Sequence, residues 1–194
     1  MKQQVLFIHG AGEGAYAEDK QLAASLQRAL GPEYDVHCPA MPDEENAPYA
    51  LWKRQIEQAL ATMRGPVILS GHSIGASILM KYLSENEVPQ PLAGIFLLAT
   101  AFWGGDGWRY EGYEKLALPA GFAARIPQGT PLFLYHGRDD EVVPFAHLAL
   151  FAEQLPQATV RALDGRGHQF NNDLSEVAAD IMSLQVRQQA QTQR

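Results

Sequence analysis

Three stretches carry residue types capable of nucleophilic chemistry: LSGHSIGASILM (69–80), HGRDDEVVP (136–144) and GRGHQF (165–170). In the first, Ser73 stands between Gly71 and Gly75, where an apolar strand-like run passes into a helix-like one. A strand that turns sharply into a helix leaves room only for small residues two positions either side of the turn. Such a turn pushes its central side chain outward and sets its main chain at a helix N-terminus, where free N–H groups favour developing negative charge. A serine hydroxyl is a poor nucleophile until a base takes its proton. His168 is the strongest candidate for that base, in a loop between the last strand and the last helix. Among the other histidines, His9 and His136 end strands ahead of glycine and are expected to shape loops. His72 abuts the serine but points elsewhere, His37 lies in a strand, and His147 sits on a helix. The imidazole in turn needs a carboxylate to hold its tautomer and stabilise the imidazolium. Asp140 is favoured, three residues beyond Gly137 and just before Val143-Pro144, with Asp139 the nearest alternative.

Acyl chemistry at Ser73 also needs donors for a tetrahedral oxyanion. Ile74 N–H, directly after the serine, is one candidate. HGAGEG (9–14) offers the other, Ala11 N–H with Gly12 as its neighbour. As a phosphate-binding loop this segment fails, because it lacks the G-x-G-x-x-G spacing and carries Glu13 in the way. The aromatics of the glycine-rich insert, Phe102, Trp103, Trp108, Tyr110 and Tyr113, either line a substrate pocket or pack over the sheet edge. Loop 41–48, MPDEENAP, either borders the cleft and disfavours anionic substrates or is a solvated turn.

The elements that must position these groups follow from periodicity. VLFIHG (5–10), PVILSG (66–71), LAGIFLLAT (92–100) and PLFLYHG (131–137) are nearly continuous apolar runs, as in parallel strands covered on both faces. Weaker strand signals lie at 34–41 and 158–165. Leu22, Leu26 and Leu30 form one helical stripe; Trp52, Ile56, Ala59, Leu60 and Met63 form another. A third, Leu148, Phe151, Ala152 and Leu155, follows Pro144; the last, Leu174, Val177, Ala178 and Ile181, is entered through Asp173 and Glu176 as a capping box. Alternating strands and helices predict a three-layer α/β/α sandwich around a mostly parallel six-stranded sheet, with residues 1–194 as a single domain. In such a sheet ligands bind at the carboxyl ends of the strands, where the candidate groups gather. Within the insert at 101–130, GYEKLAL is expected to form a short helix, and the polar C-terminus QVRQQAQTQR is expected to fray.

FIHGAG, GHSIGAS, HGRDDEVVP and GRGHQF, in this order and each after an expected strand, resemble the α/β-hydrolase superfamily across nearly the whole chain. Within it the short chain is similar to compact serine hydrolases and carboxylesterases of the retinoblastoma-binding-protein-9 and YdeN type. The resemblance implies a minimal α/β-hydrolase fold that starts at the third of the family's eight strands. It also implies that the insert replaces the large cap that commonly sets substrate size. The expected activity is cleavage of a small-molecule carboxylic ester through an acyl-serine intermediate, with Ser73, Asp140 and His168 as the triad and no metal or organic cofactor. An amidase or thioesterase with the same triad, or a non-catalytic binding protein on this fold, are the alternatives.

Composition bounds the rest. A net charge of −7 with no basic run argues against a nucleic-acid surface. No stretch of eighteen apolar residues exists, so no membrane span is expected. Cys38 is the lone cysteine, which excludes an intramolecular disulfide and a cysteine-based zinc site. The N-terminal apolar run is too short for a secretory leader, and a cytoplasmic protein is expected. Nothing in the sequence specifies an oligomeric state.

Overall fold

A computed structural model describes residues 2–103, 108 and 112–192, with side chains as far as Leu184. Its order is β1 (Gln3–Ile8), α1 (Ala15–Leu30), β2 (Tyr34–His37), α2 (Tyr49–Thr62), β3 (Val67–His72) and α3 (Ile74–Glu85). There follow β4 (Leu92–Leu98), β5 (Leu132–Gly137), α4 (Ala146–Gln154), β6 (Thr159–Leu163) and α5 (Ser175–Thr192). The strands form one six-stranded sheet, β2-β1-β3-β4-β5-β6, and every pairing is parallel.

Two cores result from the two-residue period of the strands. Leu6 and Ile8, Ile95 and Leu97, and Leu132 and Leu134 point to the face covered by α2, α3 and α4, where they meet Trp52, Ile56, Leu79 and Phe151. Val5 and Phe7, Phe96 and Leu98, and Phe133 and Tyr135 point to the opposite face, under the Leu22–Leu26–Leu30 stripe of α1 and Val177 and Ile181 of α5. The continuous apolar runs in the sequence are strands sandwiched between helix layers. Each fully buried Leu, Ile or Phe contributes about 1.5–3 kcal/mol. Phe96 and Phe133 stack across adjacent strands with ring centroids 4.8 Å apart.

Several details differ from the expectations. β2 ends at His37 rather than running to Met41, because Met41 N–H turns away to donate to His9 Nε2 at 2.9 Å. Asp173 does cap α5, accepting Ser175 N–H at 3.0 Å, but Glu176 leaves the capping box to pair with the Arg166 guanidinium. α5 extends as far as Thr192, so it takes in most of the polar C-terminal run. GYEKLAL supplies only a single 3-10 turn, Glu114–Leu116, anchored by fully buried Leu116. Among the described residues, no helix is long and apolar enough to cross a membrane.

Candidate active site

The turn between β3 and α3 places Ser73 at φ 53°, ψ −122°, a conformation that costs a non-glycine residue about 1–3 kcal/mol. The flanking glycines make the turn possible. A Cβ on Gly71 would lie 2.9 Å from Ala76 Cα and N, and one on Gly75 would strike the carbonyl oxygens of Ile8 and His9. The first turn of α3 therefore packs directly on the main chain at the end of β1. Ser73 N–H is itself held by Leu98 O at 2.9 Å, at the end of the neighbouring strand β4.

Ser73 Oγ lies 3.0 Å from His168 Nε2, and His168 Nδ1 lies 2.9 and 3.0 Å from the two oxygens of Asp140. With Nδ1 protonated toward the carboxylate, Nε2 is left to accept the serine hydroxyl proton. The Asp140 side chain is fully buried at the end of β5, whereas His168 retains 12% exposure at the cleft. Burial by itself works against ionisation of Asp140. Hydrogen bonds from His136 and His168, the His168 charge and the Val143 N–H outweigh it and hold the carboxyl far below the usual range. His136 Nε2 stands 3.2 Å from Asp140 Oδ2, and Val142 and Val143 N–H donate to Oδ1 at 2.9 and 2.8 Å.

The three consecutive acids after β5 divide their work on one loop. Asp139 accepts the main-chain N–H groups of Arg166 and Gly167 at 3.0 and 3.1 Å, and Glu141 accepts that of His168 at 3.2 Å. Only Asp140 reaches the imidazole. Asp139, the alternative left open by the sequence, clamps the loop backbone.

Loop 41–48 borders the cleft and also ties down the start of α1. Glu44 accepts Gly14 and Tyr16 N–H at 3.2 and 2.8 Å, capping α1 from outside its own chain segment, and its carbonyl accepts Gly12 N–H at 2.9 Å. The next residues, Glu45 and Asn46, line the cleft. His9 is buried, and burial lowers its pKa against the raising influence of Gly10 and Asp19. Its Nε2 accepts Met41 N–H and its Nδ1–H donates to Gly10 O, so it is a neutral loop-shaping residue.

The cleft over Ser73 has a volume of about 430 Å³. Ala11, Gly12, Ile74 and His168 surround the serine, while Ala101, Trp108, Tyr113, Val142 and Val143 supply an apolar wall. Of the five insert aromatics that could line a pocket or pack over the sheet edge, Trp108 and Tyr113 line this cleft and Phe102 and Trp103 do not. Phe102 packs edge-on to Phe151 at 4.9 Å, and Trp103 lies beneath Trp108 and Tyr113 at 5.2 and 6.0 Å; both instead border a separate hollow of about 280 Å³ with Leu118–Phe122. The polypeptide after β4 drops toward α4 here, with Phe102 N–H donating to buried His147 Nδ1. Tyr110 lies outside the described residues.

Two features escaped the sequence reading. Asp19 on α1 is 2% exposed and meets His72 Nδ1 at 2.8 Å, and His136 shares Asp140. Asp19 and His72 are 53 positions apart, and AEDKQ looks like an exposed helical face. The one local signal is its place three positions before Leu22, on the continuation of the Leu22–Leu26–Leu30 stripe. Among the described residues, no group of three or more His, Cys, Asp or Glu side chains is arranged to hold a metal ion.

Solved structures share this architecture. The ydeN gene product of B. subtilis superposes with a TM-score of 0.71 at 18% identity, covering 94% of this chain and 98% of its own. Est1E of Butyrivibrio proteoclasticus gives 0.69 at 15% identity over 97% of this chain and 89% of its own. The 2-hydroxy-6-oxo-6-phenylhexa-2,4-dienoate hydrolase of Rhodococcus sp. strain RHA1 gives 0.72 at 16% identity, over 96% and 91%. These likenesses show the fold. No curated protein matches by sequence. The model of the alpha/beta hydrolase family matches residues 5–185, nearly the whole chain, and with its compact parallel sheet and no large cap the chain belongs to that family.

Proposed function

We propose that this protein is a serine hydrolase that cleaves small carboxylic esters through an acyl-Ser73 intermediate. The observation that carries the reading is the hydrogen-bonded series Ser73 Oγ, His168 and Asp140 at the carboxyl edge of the sheet, opening onto the cleft. His168 Nε2 takes the hydroxyl proton as Ser73 Oγ attacks the ester carbonyl, then returns it to the departing alkoxide. Asp140 holds the imidazole tautomer and stabilises the imidazolium. Water next enters and gives a proton to His168 as its oxygen attacks the acyl carbon; His168 then passes that proton to Ser73 Oγ as the C–Oγ bond breaks and the acid departs.

The tetrahedral oxyanion is received by Ile74 N–H, at the start of α3, and by Ala11 N–H. Gly12 N–H is already given to Glu44 O, which leaves Ala11 as the donor of this loop toward the serine. Removing one such donor typically costs about 3–4 kcal/mol of transition-state stabilisation. The apolar wall of the cleft supports a small neutral substrate.

A fluorophosphonate probe, together with p-nitrophenyl acetate turnover, tests the assignment. Labelling is expected to vanish in Ser73→Ala and turnover to fall by up to about 10⁶-fold. Undiminished labelling of the variant would overturn it. Matched acetyl ester, amide and thioester substrates separate esterase from amidase and thioesterase. A binding protein would turn over none of them above the Ser73→Ala background.

A further inference from the structure

Asp19 and His72 are buried directly behind Ser73, and neither takes part in the chemistry proposed above. Asp19 collects donors from three separate segments. Gly10 N–H, in the loop after β1, donates to Oδ2 at 2.6 Å. Gln169, beside His168, donates from Nε2 to Oδ1 at 2.7 Å. His72, one residue before the serine, brings Nδ1 to 2.8 Å from Oδ2. Its other nitrogen, Nε2, lies 2.9 Å from the main-chain oxygen of His168 itself.

The protonation state follows from this geometry. A carbonyl oxygen only accepts, so His72 Nε2 carries a proton. Burial opposes ionisation of Asp19, but the His72 charge and the hydrogen bonds from His72, Gln169 and Gly10 prevail and bring its pKa to about 2. An ionised carboxylate also only accepts, so His72 Nδ1 carries a second proton. For His72, burial disfavours the charge, yet Asp19 and the His168 carbonyl raise the pKa above its ordinary value. Other titratable groups bear on the pair from around it: Asp140 and His9 on His72, and Cys38 on Asp19. The His168 ring lies 4.9 Å from the His72 ring, and Phe170 closes the far side at 6.0 Å.

We propose that His72 is a permanently protonated positioning residue, and that the buried Asp19–His72 ion pair sets the spacing between the nucleophile turn, the β1 loop and the His168 loop. The proposal rests on the Ser73 mechanism, since these three segments supply its nucleophile, one oxyanion donor and its base. One carboxylate ties Gly10, adjacent to Ala11, to Gln169, adjacent to His168. One imidazolium ties the residue before Ser73 to the backbone of His168. Because an error of about 1 Å in such a site costs on the order of 10²-fold in rate, the pair acts through kcat more than through substrate affinity.

Nitrogen-detected NMR of histidine-labelled protein at pH 8 tests the charge state. Two ring protons on His72 are expected, falling to one in Asp19→Asn; a single proton in the wild type overturns the proposal. Kinetics test the positioning. In His72→Asn the side chain keeps a donor near the Nδ1 position but cannot reach His168 O, whereas His72→Gln keeps one near Nε2. His72→Asn and His72→Gln, neither of which carries the charge or spans both contacts, are each expected to lower kcat at least about tenfold with KM within about threefold. Wild-type kcat in either variant overturns the role. The wild-type spectrum requires neither a variant that folds nor a known substrate. An inactive wild-type protein therefore counts against the Ser73 mechanism, while the spectrum still decides the ion pair.

Discussion

Adding one methyl group at Gly75 probes the close approach on which the site depends. A Cβ there would overlap the carbonyl oxygens of Ile8 and His9, well inside the 3.4 Å at which ordinary contact begins. Relief requires the start of α3 and the end of β1 to part by about 1 Å, with a typical overpacking cost of about 1–3 kcal/mol. For a chain of this size that corresponds to a fall in Tm of roughly 2–4 °C per kcal/mol. The same wedge moves Ile74 N–H away from Ala11 N–H, because the first lies on α3 and the second on the loop leaving β1. Under the proposed mechanism both hold one oxyanion, so kcat is expected to fall about 10²-fold, beyond what the loss of stability explains at 25 °C. The assay is p-nitrophenyl acetate turnover on Gly75→Ala beside a thermal melt followed by circular dichroism. A variant with kcat within about twofold of wild type, and an unchanged Tm, would refute the argument that this contact sets the oxyanion geometry.

Asp140→Asn is expected to lower kcat by about 10³–10⁴-fold, as loss of the tautomer-fixing charge does in other Ser-His-Asp sites, whereas Asp139→Asn should leave most activity because Asp139 holds only loop N–H groups; paired turnover assays decide it. Asp19 has a pKa depressed from 3.8 to about 2, so the stability it contributes is fully present above about pH 4 and is lost as pH falls toward 2. Urea unfolding at pH 5 and pH 2.5 should show this decline in the wild type and a flatter dependence in Asp19→Asn. Trp108→Ala is expected to change relative rates across p-nitrophenyl esters of increasing acyl length, since Trp108 lines the cleft; unchanged ratios would remove it from the substrate wall. Cys38 is pushed up to about 12, chiefly by burial, and iodoacetamide at pH 8 should therefore label it far more slowly in the native than in the urea-unfolded protein.

The layers of this fold and the position of the serine are legible along the chain. Their causes are local: two-residue alternation in strands, a four-residue stripe in helices, and the need for small residues either side of a tight turn. Gly71, Ser73 and Gly75 are neighbours in sequence, and the steric reason for their spacing acts between neighbours. The choice of His168 over the other histidines was also open to sequence, because it depends on which strand end a loop follows. Asp140 rather than Asp139 is a different matter. The two differ by one step along the chain, and only the packing of GRGHQF against the end of β5 sends one carboxylate to the imidazole and the other to the backbone. The same holds for Phe102 and Trp103, drawn under the sheet edge while Trp108 stays at the cleft. Asp19 is the clearest case. Its place on the buried stripe of α1 marks a side but no partner, and Gly10, His72 and Gln169 converge on it only once α1 lies against the sheet edge. Sequence spacing encodes what neighbouring residues impose on each other; where a buried charge finds its partners is decided by tertiary packing, because those partners are distant in the chain and meet only after the layers close.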